Sequence, residues 1–329
     1  MRRVLVTGAT GGLGLAVVAA LAAQGYAVRA TGRRRDLTGR LAAMGAEFVP
    51  ADLNDMAALP DLVAGMDGVI HAAALSSPWG PYADFRRINV DVTRHLLAAA
   101  RVAGVGRFVF VSSPSVYARA ADQVNLRESD PVNPRPMNAY AATKGEAERA
   151  VLAASDAAMA CVAIRPRAIV GPDDTVLLPR VLRLVRRGRF PLVRGGQARI
   201  ELTDARDAAA ALVLALERAQ TLGGEVINIA GGRSMAIRDM VSTLAEALGI
   251  PIRFVPVPYA AVAAFATAAE AVCRVLPGRP EPILTPYTLT TLAFSQTFDL
   301  TKARETLGYQ PQFDPFATAL AVARSRHDD

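Results

Sequence analysis

The sequence contains little lysine, cysteine and histidine. Only two lysines, Lys144 and Lys302, occur in 329 residues, so the formal net charge of +7 comes almost wholly from arginine. The two cysteines lie far apart in apolar contexts, which argues against a disulfide or a redox motif. The three histidines show no metal-ligand spacing, and we predict no metal site. The arginines are scattered rather than clustered with aromatic residues, which argues against a nucleic-acid partner.

Internal repeats, low-complexity linkers and a membrane-spanning hydrophobic run are also missing. The first apolar run ends in glycine after four residues, too early for the core of a signal peptide, so we expect a cytoplasmic protein. The most apolar segment, 257–276, is interrupted by Pro258, Glu270 and Arg274, whereas a spanning helix needs about 20 mostly apolar residues. We interpret it as a buried helix. A peripheral lipid contact and a wall for a hydrophobic substrate are the alternatives.

Short β-branched runs alternate with alanine-rich amphipathic segments in the first half of the chain. This alternation predicts βαβ units and a parallel sheet covered by helices on both faces. After about residue 170, proline and glycine become frequent and the predicted elements are mostly helical. We therefore predict an α/β fold with a doubly wound Rossmann sheet. Its cofactor-binding domain would span 1–170 and a smaller, mostly helical substrate-binding region 171–329, with 225–229 rejoining the sheet.

Apolar spacing also places the individual helices. In the first half we expect them at 13–24, 53–63, 90–103 and 139–154. In the second half we expect them at 205–217, 237–248, 260–276 and, as a short terminal helix ended by Gly308, 300–307.

A glycine-rich segment directly follows the first predicted strand and opens the first helix. Its spacing is G-x-x-G-x-x-G: Gly8 permits a tight turn, Gly11 lets backbone N–H groups approach a pyrophosphate, and Gly14 lets helix and strand pack closely. The helix N-terminus adds partial positive charge for the phosphates. We predict a dinucleotide site formed here by Gly8, Thr10, Gly11, Gly12, Leu13 and Gly14.

The end of the second strand bears on which dinucleotide binds. An NAD site usually has an Asp or Glu there to hold the ribose hydroxyls, but this chain has Gly32 and Arg33 and no acid before Asp36. Arg33 suits the 2′-phosphate of NADP, so we predict NADP, with NAD and a merely solvated arginine run as alternatives. Asp52 and Leu53 follow the third strand and are placed to meet the adenine; capping of the next helix is the alternative role of Asp52.

Tyr140 and Lys144 form a Y-x-x-x-K pair in a predicted helix. Four residues make about one helical turn, so the two side chains share a face. A neighbouring ammonium stabilises tyrosinate, so we expect it to lower the pKa of Tyr140 and let the residue act as acid or base near neutral pH. Three serines at the end of the fifth strand, where open α/β sheets bind ligands, compete to hold the substrate oxygen: Ser112, Ser113 and Ser115.

These features resemble the extended short-chain dehydrogenases/reductases of the NAD-dependent epimerase/dehydratase superfamily, over nearly the whole chain. The matching motifs stand in the family's order: the glycine loop, Asp52–Leu53, 71–74, Asn89, the serine-rich strand end, Tyr140 with Lys144, and Arg165–Pro166 followed by Gly171–Pro172.

The resemblance implies an NAD(P)-dependent oxidoreductase and roles for particular residues. It gives Ser113 the catalytic serine position beside Tyr140 and Lys144, and makes Ser115 an auxiliary substrate contact. It implies that Tyr140 and Lys144 also contact the cofactor, together with Ala72, Ala73, Ala74, Asn89, Pro166 and Ile169. We also expect a homodimer.

Four stretches are similar to the 3β-hydroxysteroid dehydrogenase branch, which includes the 2-alkyl-3-oxoalkanoate reductases: 76–80, 112–116, 260–276 and 295–299. This similarity implies interconversion of a secondary alcohol and a ketone on a bulky hydrophobic small molecule, with Trp79 among the substrate contacts. Arg199 favours a rival class, because a similarly placed arginine clamps the diphosphate in nucleotide-sugar epimerases and dehydratases. An exposed strand position is the alternative for Arg199. A second rival is a non-catalytic NADP sensor.

Overall fold

The computed structural model describes residues 2–328, which form fifteen strands and thirteen α-helices. The strands in chain order are β1 (Arg3–Thr7), β2 (Ala27–Gly32), β3 (Glu47–Pro50), β4 (Gly68–His71), β5 (Arg107–Val111), β6 (Gln123–Leu126), β7 (Ala160–Pro166), β8 (Ile169–Val170), β9 (Arg189–Val193), β10 (Arg199–Glu201), β11 (Thr203–Asp204), β12 (Val226–Ile229), β13 (Ser234–Ala236), β14 (Arg253–Val257) and β15 (Gln296–Phe298).

The α-helices in chain order are α1 (Gly12–Ala23), α2 (Thr38–Ala43), α3 (Leu59–Val63), α4 (Tyr82–Phe85), α5 (Val92–Val102), α6 (Ala139–Ala153), α7 (Leu178–Val185), α8 (Ala205–Glu217), α9 (Ala219–Leu222), α10 (Ile237–Ala247), α11 (Tyr259–Val275), α12 (Pro286–Ala293) and α13 (Pro315–Asp328).

Seven parallel strands form the central sheet in the order β3-β2-β1-β4-β5-β7-β12. The chain winds outward in both directions from the β1–β4 pair, which makes the gap between them the switch point where such sheets bind ligands. Thr7 pairs with Thr31 on one side and His71 on the other, so these strand ends meet at one edge. The predicted doubly wound Rossmann fold is confirmed.

Helices cover both faces of this sheet. One apolar core joins it to α1 and α8, through residues such as Leu21 and Leu212. The other core joins it to α3, α5 and α6, through Leu62, Leu96 and Val151. Burial on both faces explains why the strands read as nearly continuous apolar runs.

The second half of the chain contributes to the central sheet and also forms a core of its own. As predicted, its β12 rejoins the large sheet by pairing with β7. A separate apolar core joins α7, α10 and α13. Three small sheets, which we did not predict, lie outside the main one: β13-β10-β15-β6, β11-β8 and β14-β9. The domain boundary at residue 170 stays a prediction.

Three predicted helices differ from the observed ones. The helix expected at 53–63 starts only at Leu59, because Asp55 caps a 3₁₀ turn by accepting a hydrogen bond from the backbone N–H of Ala57 at 3.2 Å. The segment 300–307 ends in a short π-helical turn at Gly308, whose φ of 67° suits glycine. It is not terminal, because α13 follows it.

The prediction of a buried helix at 260–276 is wrong. In α11 the only buried residue is Ala266, and the side chains of Phe265, Val272 and Val275 are more than half exposed. Its small alanines leave little apolar surface to bury, so α11 packs along one narrow stripe against α12. Within residues 2–328, no helix combines the length and the apolar character that crossing a membrane requires.

Candidate active site

The glycine loop is closely packed between β1, α1 and the end of β4. A Cβ atom at Gly8, whose φ is 66°, would lie 2.7 Å from the backbone nitrogen of Ala73, and one at Gly14 would lie 2.1 Å from the Gly8 carbonyl oxygen. Only glycine fits at these two positions. The first N–H groups of α1 have no partner within the helix, and Gly11 adds no side chain at its start. The loop therefore fits a dinucleotide pyrophosphate.

The end of β2 lies against this loop. A Cβ at Gly32 would lie 2.5 Å from the Thr10 hydroxyl oxygen, so an acidic side chain does not fit there unless Thr10 moves. Arg33 follows Gly32 and is exposed. Asp52 accepts hydrogen bonds from the backbone and side chain of Asn54, which lower the pKa of its carboxyl group, with the nearby Arg33 charge adding to the effect.

A buried polar chain holds the strand ends together behind the loop. The His71 ring bonds the Thr7 hydroxyl at 2.7 Å and the Thr93 hydroxyl at 3.0 Å, and burial lowers the pKa of His71 to about 3. Asn89 accepts a hydrogen bond from the Leu75 N–H at 2.8 Å and donates one to the Thr143 hydroxyl. The buried side chain of Asn89 thus connects the loop after β4 to α6.

Tyr140 lies in the first turn of α6, which Asn138 caps by accepting a hydrogen bond from the Ala141 N–H at 2.8 Å. Burial raises the pKa of Tyr140 above its ordinary value, and hydrogen bonds with Ser113 and Ser76 oppose this rise. Ser113 also accepts a hydrogen bond from the Ser115 N–H at 3.2 Å, which orients the turn after β5.

The three competing serines have different environments. Ser112 donates its hydroxyl hydrogen to Glu148 at 2.6 Å and is thereby engaged behind the site. Ser113 contacts Tyr140, and the buried Ser115 hydroxyl has no partner among residues 2–328. Both Ser113 and Ser115 line the adjoining cavity, which leaves them available for a substrate oxygen.

Lys144 lies one turn after Tyr140 and is 2% exposed. Its ammonium donates to the Val111 carbonyl oxygen and lies 4.1 Å from the centre of the Phe110 ring. Burial lowers the pKa of the Lys144 amine to about 7. The expected lowering of the Tyr140 pKa is therefore not observed: the lysine is directed at the end of β5, and burial dominates at the tyrosine.

An ion pair beneath Lys144 ties α6 to the sheet. Glu148 and Arg165 are 5% and 3% exposed, and Arg165 Nε donates to Glu148 Oε2 at 2.8 Å. Arg165 also donates to the Tyr117 hydroxyl and stacks on that ring. With the Ser112 bond, these contacts fix the position of α6 relative to β5 and β7.

A cavity of about 840 Å³ opens beside Tyr140. One side, here called the catalytic wall, consists of Ser76, Ser113, Ser115, Tyr140 and Pro166. Another part of the lining, here called the apolar wall, comes mainly from α7, α10 and α12 and includes Val181, Leu184, Phe190, Met240, Val241 and Leu292. Gly12, Leu13 and Ile169 also line the cavity, so the predicted cofactor loop adjoins it.

Two of the expected substrate residues do not line this cavity. The Trp79 indole N–H donates to the Arg279 carbonyl oxygen at 2.9 Å, which holds the ring outside. Arg199 is exposed, and its guanidinium donates to the Ser234 hydroxyl and carbonyl oxygens at 3.0 and 2.9 Å. Segment 260–276 does not contribute to the lining either, because α11 lies at the surface.

Three features of the cavity lining were missed in the sequence. The loop after β8 lies over the glycine loop, where Arg40 binds Asp173 through two hydrogen bonds of 2.7 and 2.8 Å. Tyr287 and Arg167 also line the cavity. Arg167 stands two residues after the predicted Arg165, but nothing in the sequence indicates which way it points.

A Rossmann sheet, a glycine loop at its switch point and a Y-x-x-x-K helix beside a cavity together define an NAD-dependent oxidoreductase of the short-chain dehydrogenase/reductase class. The family model for the NAD dependent epimerase/dehydratase family matches residues 4–230. The chain belongs to this family.

Similar proteins support this assignment. The chain is 35% identical to a 2-alkyl-3-oxoalkanoate reductase of Stenotrophomonas maltophilia (strain K279a), over 94% of this chain and 95% of that protein. It is 31% identical to 3beta-hydroxysteroid-dehydrogenase/decarboxylase isoform 1 of Arabidopsis thaliana, over 80% of this chain and 63% of that protein. A solved structure, MoeE5 in complex with UDP-glucose and NAD, superimposes with a TM-score of 0.77 at 27% identity, covering 98% of this chain and 99% of MoeE5.

Proposed function

We propose that this protein interconverts a secondary alcohol and a ketone on a bulky hydrophobic substrate. The observation that carries the proposal is the cavity of about 840 Å³, whose lining combines Ser113 and Tyr140 with the apolar wall. Burial of apolar ligand surface contributes about 25 cal/mol per Å², so a long alkyl chain or a fused ring system gains most from such a wall. The names of the two similar enzymes, an oxoalkanoate reductase and a hydroxysteroid dehydrogenase, support the same substrate type.

The catalytic wall suits proton exchange at the substrate oxygen. A bound nicotinamide dinucleotide supplies or accepts the hydride. Tyr140 would give a proton to the oxygen during reduction and take it back during oxidation, while Ser113 donates a hydrogen bond that stabilises negative charge on that oxygen. The Lys144 amine, whose pKa burial lowers to about 7, would bind the cofactor ribose. Binding the substrate and the cofactor in the reactive geometry would lower the entropic part of the activation barrier.

We further propose NADP(H) as the preferred cofactor. The close approach of Gly32 and Thr10 disfavours an acid at position 32 to hold the ribose of NAD, because Thr10 would have to move, and Arg33 follows directly. The glycine loop would hold the pyrophosphate, while Asp52, Leu53 and Ile169 stay predicted cofactor contacts. Ala72, Ala73, Ala74 and Asn89 are retained with them on the family pattern alone.

A nucleotide-sugar substrate is the second candidate, and the similarity to MoeE5 favours it. A diphosphate needs several convergent cations. In the cavity lining, however, Arg40, Arg180 and Arg206 are each engaged by a carboxylate, which leaves Arg167 as the single unpaired arginine of the described lining, and Arg199 lies outside. These contacts support the hydrophobic substrate. The non-catalytic sensor is less well supported, because Ser113, Tyr140 and Lys144 are all present and adjacent.

A spectrophotometric screen tests the proposal. NADP(H) and NAD(H) are offered with 3-hydroxy- and 3-oxo-steroids, 3-hydroxy fatty acids and nucleotide sugars. We expect turnover with a hydrophobic compound, and turnover confined to nucleotide sugars would contradict the proposal. The homodimer and the cytoplasmic location remain proposals too, which light scattering and cell fractionation can test.

A further inference from the structure

The cavity contains one charged group that its surroundings do not satisfy. Arg167 follows β7 and lines the cavity next to Pro166. Its Nε is buried and has no hydrogen-bond partner among residues 2–328, and no described carboxylate lies within 4.0 Å of the guanidinium. Arg167 as a whole is only partly buried, but an arginine side chain stays charged in proteins, so its inward-facing guanidinium gains from an anionic partner.

Arg167 differs in this respect from the other cations around the cavity. Arg40 is paired with Asp173, Arg180 with Glu281 and Arg206 with Asp204. Pairing fixes these three arginines within the protein, whereas the guanidinium of Arg167 keeps donors for a ligand.

Arg167 shares the cavity lining with Tyr140, Pro166 and, from α12, Tyr287. Glu201 is buried nearby; one of its oxygens accepts a hydrogen bond from the Phe298 N–H at 3.3 Å and the other has no partner in the described chain. Glu201 balances part of the charge from beyond ion-pair distance but leaves the guanidinium nitrogens unoccupied.

We propose that Arg167, which lines the same cavity as Tyr140, binds a carboxylate of the substrate. The planar guanidinium can hold both carboxylate oxygens at once. A 3-hydroxy or 3-oxo acid, the type that the name of the similar 2-alkyl-3-oxoalkanoate reductase implies, would carry such a carboxylate, and its hydrophobic remainder would lie along the apolar wall. This inference rests on the proposed function and assigns a residue to the acidic group of its substrate.

The test compares an acid with its own ester. The wild-type enzyme is offered 3-hydroxydecanoic acid or its methyl ester with NADP⁺ or NAD⁺, and 3-hydroxy acids are used because they do not lose CO₂ in water as 3-oxo acids do. We expect kcat/KM for the acid to exceed that for the ester at least tenfold, mainly through KM. Arg167→Met should lower it for the acid by about 10- to 100-fold, the size of a charge-assisted contact, and leave the ester within about threefold. Arg167→Lys should recover part of the loss.

The outcomes separate the two proposals. Equal use of acid and ester by the wild-type enzyme, or equal losses for both in Arg167→Met, would overturn the carboxylate site and leave the alcohol dehydrogenase activity standing. Turnover of nucleotide sugars with none of hydroxy compounds would overturn the proposed function itself. A UDP-glucuronate activity that exceeds UDP-glucose activity and requires Arg167 would assign the arginine to a sugar acid instead. If Arg167→Met does not fold, the wild-type ratio and Arg167→Lys still decide.

Discussion

The two sides of the cavity are held in place by different forces. Behind the catalytic wall, buried hydrogen bonds fix the side chains: His71 lies between Thr7 and Thr93, and Glu148 binds both Ser112 and Arg165. The apolar wall is held by the packing of α7, α10 and α13 around a shared core. Buried polar groups must be paired in one geometry, whereas apolar packing tolerates exchanges that conserve volume.

This difference separates chemistry from substrate choice. The directional bonds behind Tyr140 and Lys144 allow little variation, because one lost partner leaves a buried donor or charge unsatisfied. The residues of the apolar wall can change in size without disturbing the polar chain. The same reaction can therefore act on different hydrophobic substrates. Besides the shape of the cavity, the unpaired Arg167 is the one cation of the described lining that remains available to select a substrate.

The largest effect should come from the catalytic wall itself. Tyr140→Phe removes the proton that the substrate oxygen needs, so we expect turnover to fall by about 10²–10⁴-fold while folding and cofactor binding persist. Steady-state kinetics, thermal melting and cofactor titration measure the three properties. Tyr82→Phe is the matched control, because that hydroxyl contacts Glu146 at the surface. A Tyr140→Phe enzyme with more than half of wild-type activity would refute the assignment.

The next effect concerns stability behind the same wall. Glu148→Gln leaves the buried Arg165 charge without a counter-ion, and we expect a loss of about 3–5 kcal/mol in the free energy of unfolding. Glu47→Gln breaks the exposed pair with Arg29 and should cost no more than about 1 kcal/mol. Urea unfolding compares them. Equal losses would show that the polar network does not determine stability.

A smaller effect is expected at the cofactor end of the cavity. Arg33→Ala removes the proposed 2′-phosphate contact, worth about 1.5–3 kcal/mol, so NADP(H) affinity should fall by about 10- to 100-fold and NAD(H) affinity hardly at all. Arg34→Ala, which removes the neighbour paired with Asp36, is the control. Fluorescence titration gives the dissociation constants. A wild-type preference for NAD(H), or equal loss for both, contradicts this prediction.

The residues of the catalytic wall and the glycine loop could largely be predicted from the sequence, because they belong to strong local motifs. The glycine spacing, Tyr140 with Lys144 and the strand–helix rhythm each reflect short-range geometry. The partners of the predicted residues were not accessible: the pairing of Glu148 with Arg165 depends on the packing of α6 against β7. The predicted lowering of the Tyr140 pKa was also wrong, because burial raises this pKa and burial depends on the whole fold.

The residues that form the apolar wall could hardly be predicted from the sequence. The helices α10 and α8 were located closely, but nothing in their spacing shows which of their faces meets a cavity. The apolar segment 260–276 was taken for a buried element, whereas the cavity is lined by α12, with its less conspicuous sequence. The position of Trp79 was not accessible for a similar reason, because it is set by a bond to Arg279 about two hundred residues away.

The buried polar chain around His71 should also make the free energy of unfolding depend on pH. The pKa of the buried His71 is about 3, below the value of 6.5 in an unfolded chain. Below pH 6.5 the unfolded chain binds a proton that the folded protein does not, so stability falls by up to about 1.4 kcal/mol per pH unit as the pH drops toward 3. Urea unfolding between pH 7.5 and 4 follows this. His71→Gln, which cannot titrate, should show a shallower slope, and an unchanged slope would exclude His71 as the cause.

The smallest effect is expected at Arg199, and it tests whether the apolar wall selects the substrate. The Arg199 side chain lies outside the cavity and its guanidinium binds only Ser234 among the described residues. Removal of such an exposed group usually changes stability by no more than about 0.5 kcal/mol. Arg199→Ala should therefore leave kcat/KM for a hydrophobic substrate within about twofold, whereas a diphosphate clamp would lose at least 1.5 kcal/mol of binding, or about tenfold. Kinetics with the best hydrophobic compound and with UDP-glucose in parallel distinguish the two cases. Activity found only with nucleotide sugars and lost in Arg199→Ala would mean that the guanidinium leaves Ser234 to reach a diphosphate. The directional contacts, rather than the apolar wall, would then determine the substrate.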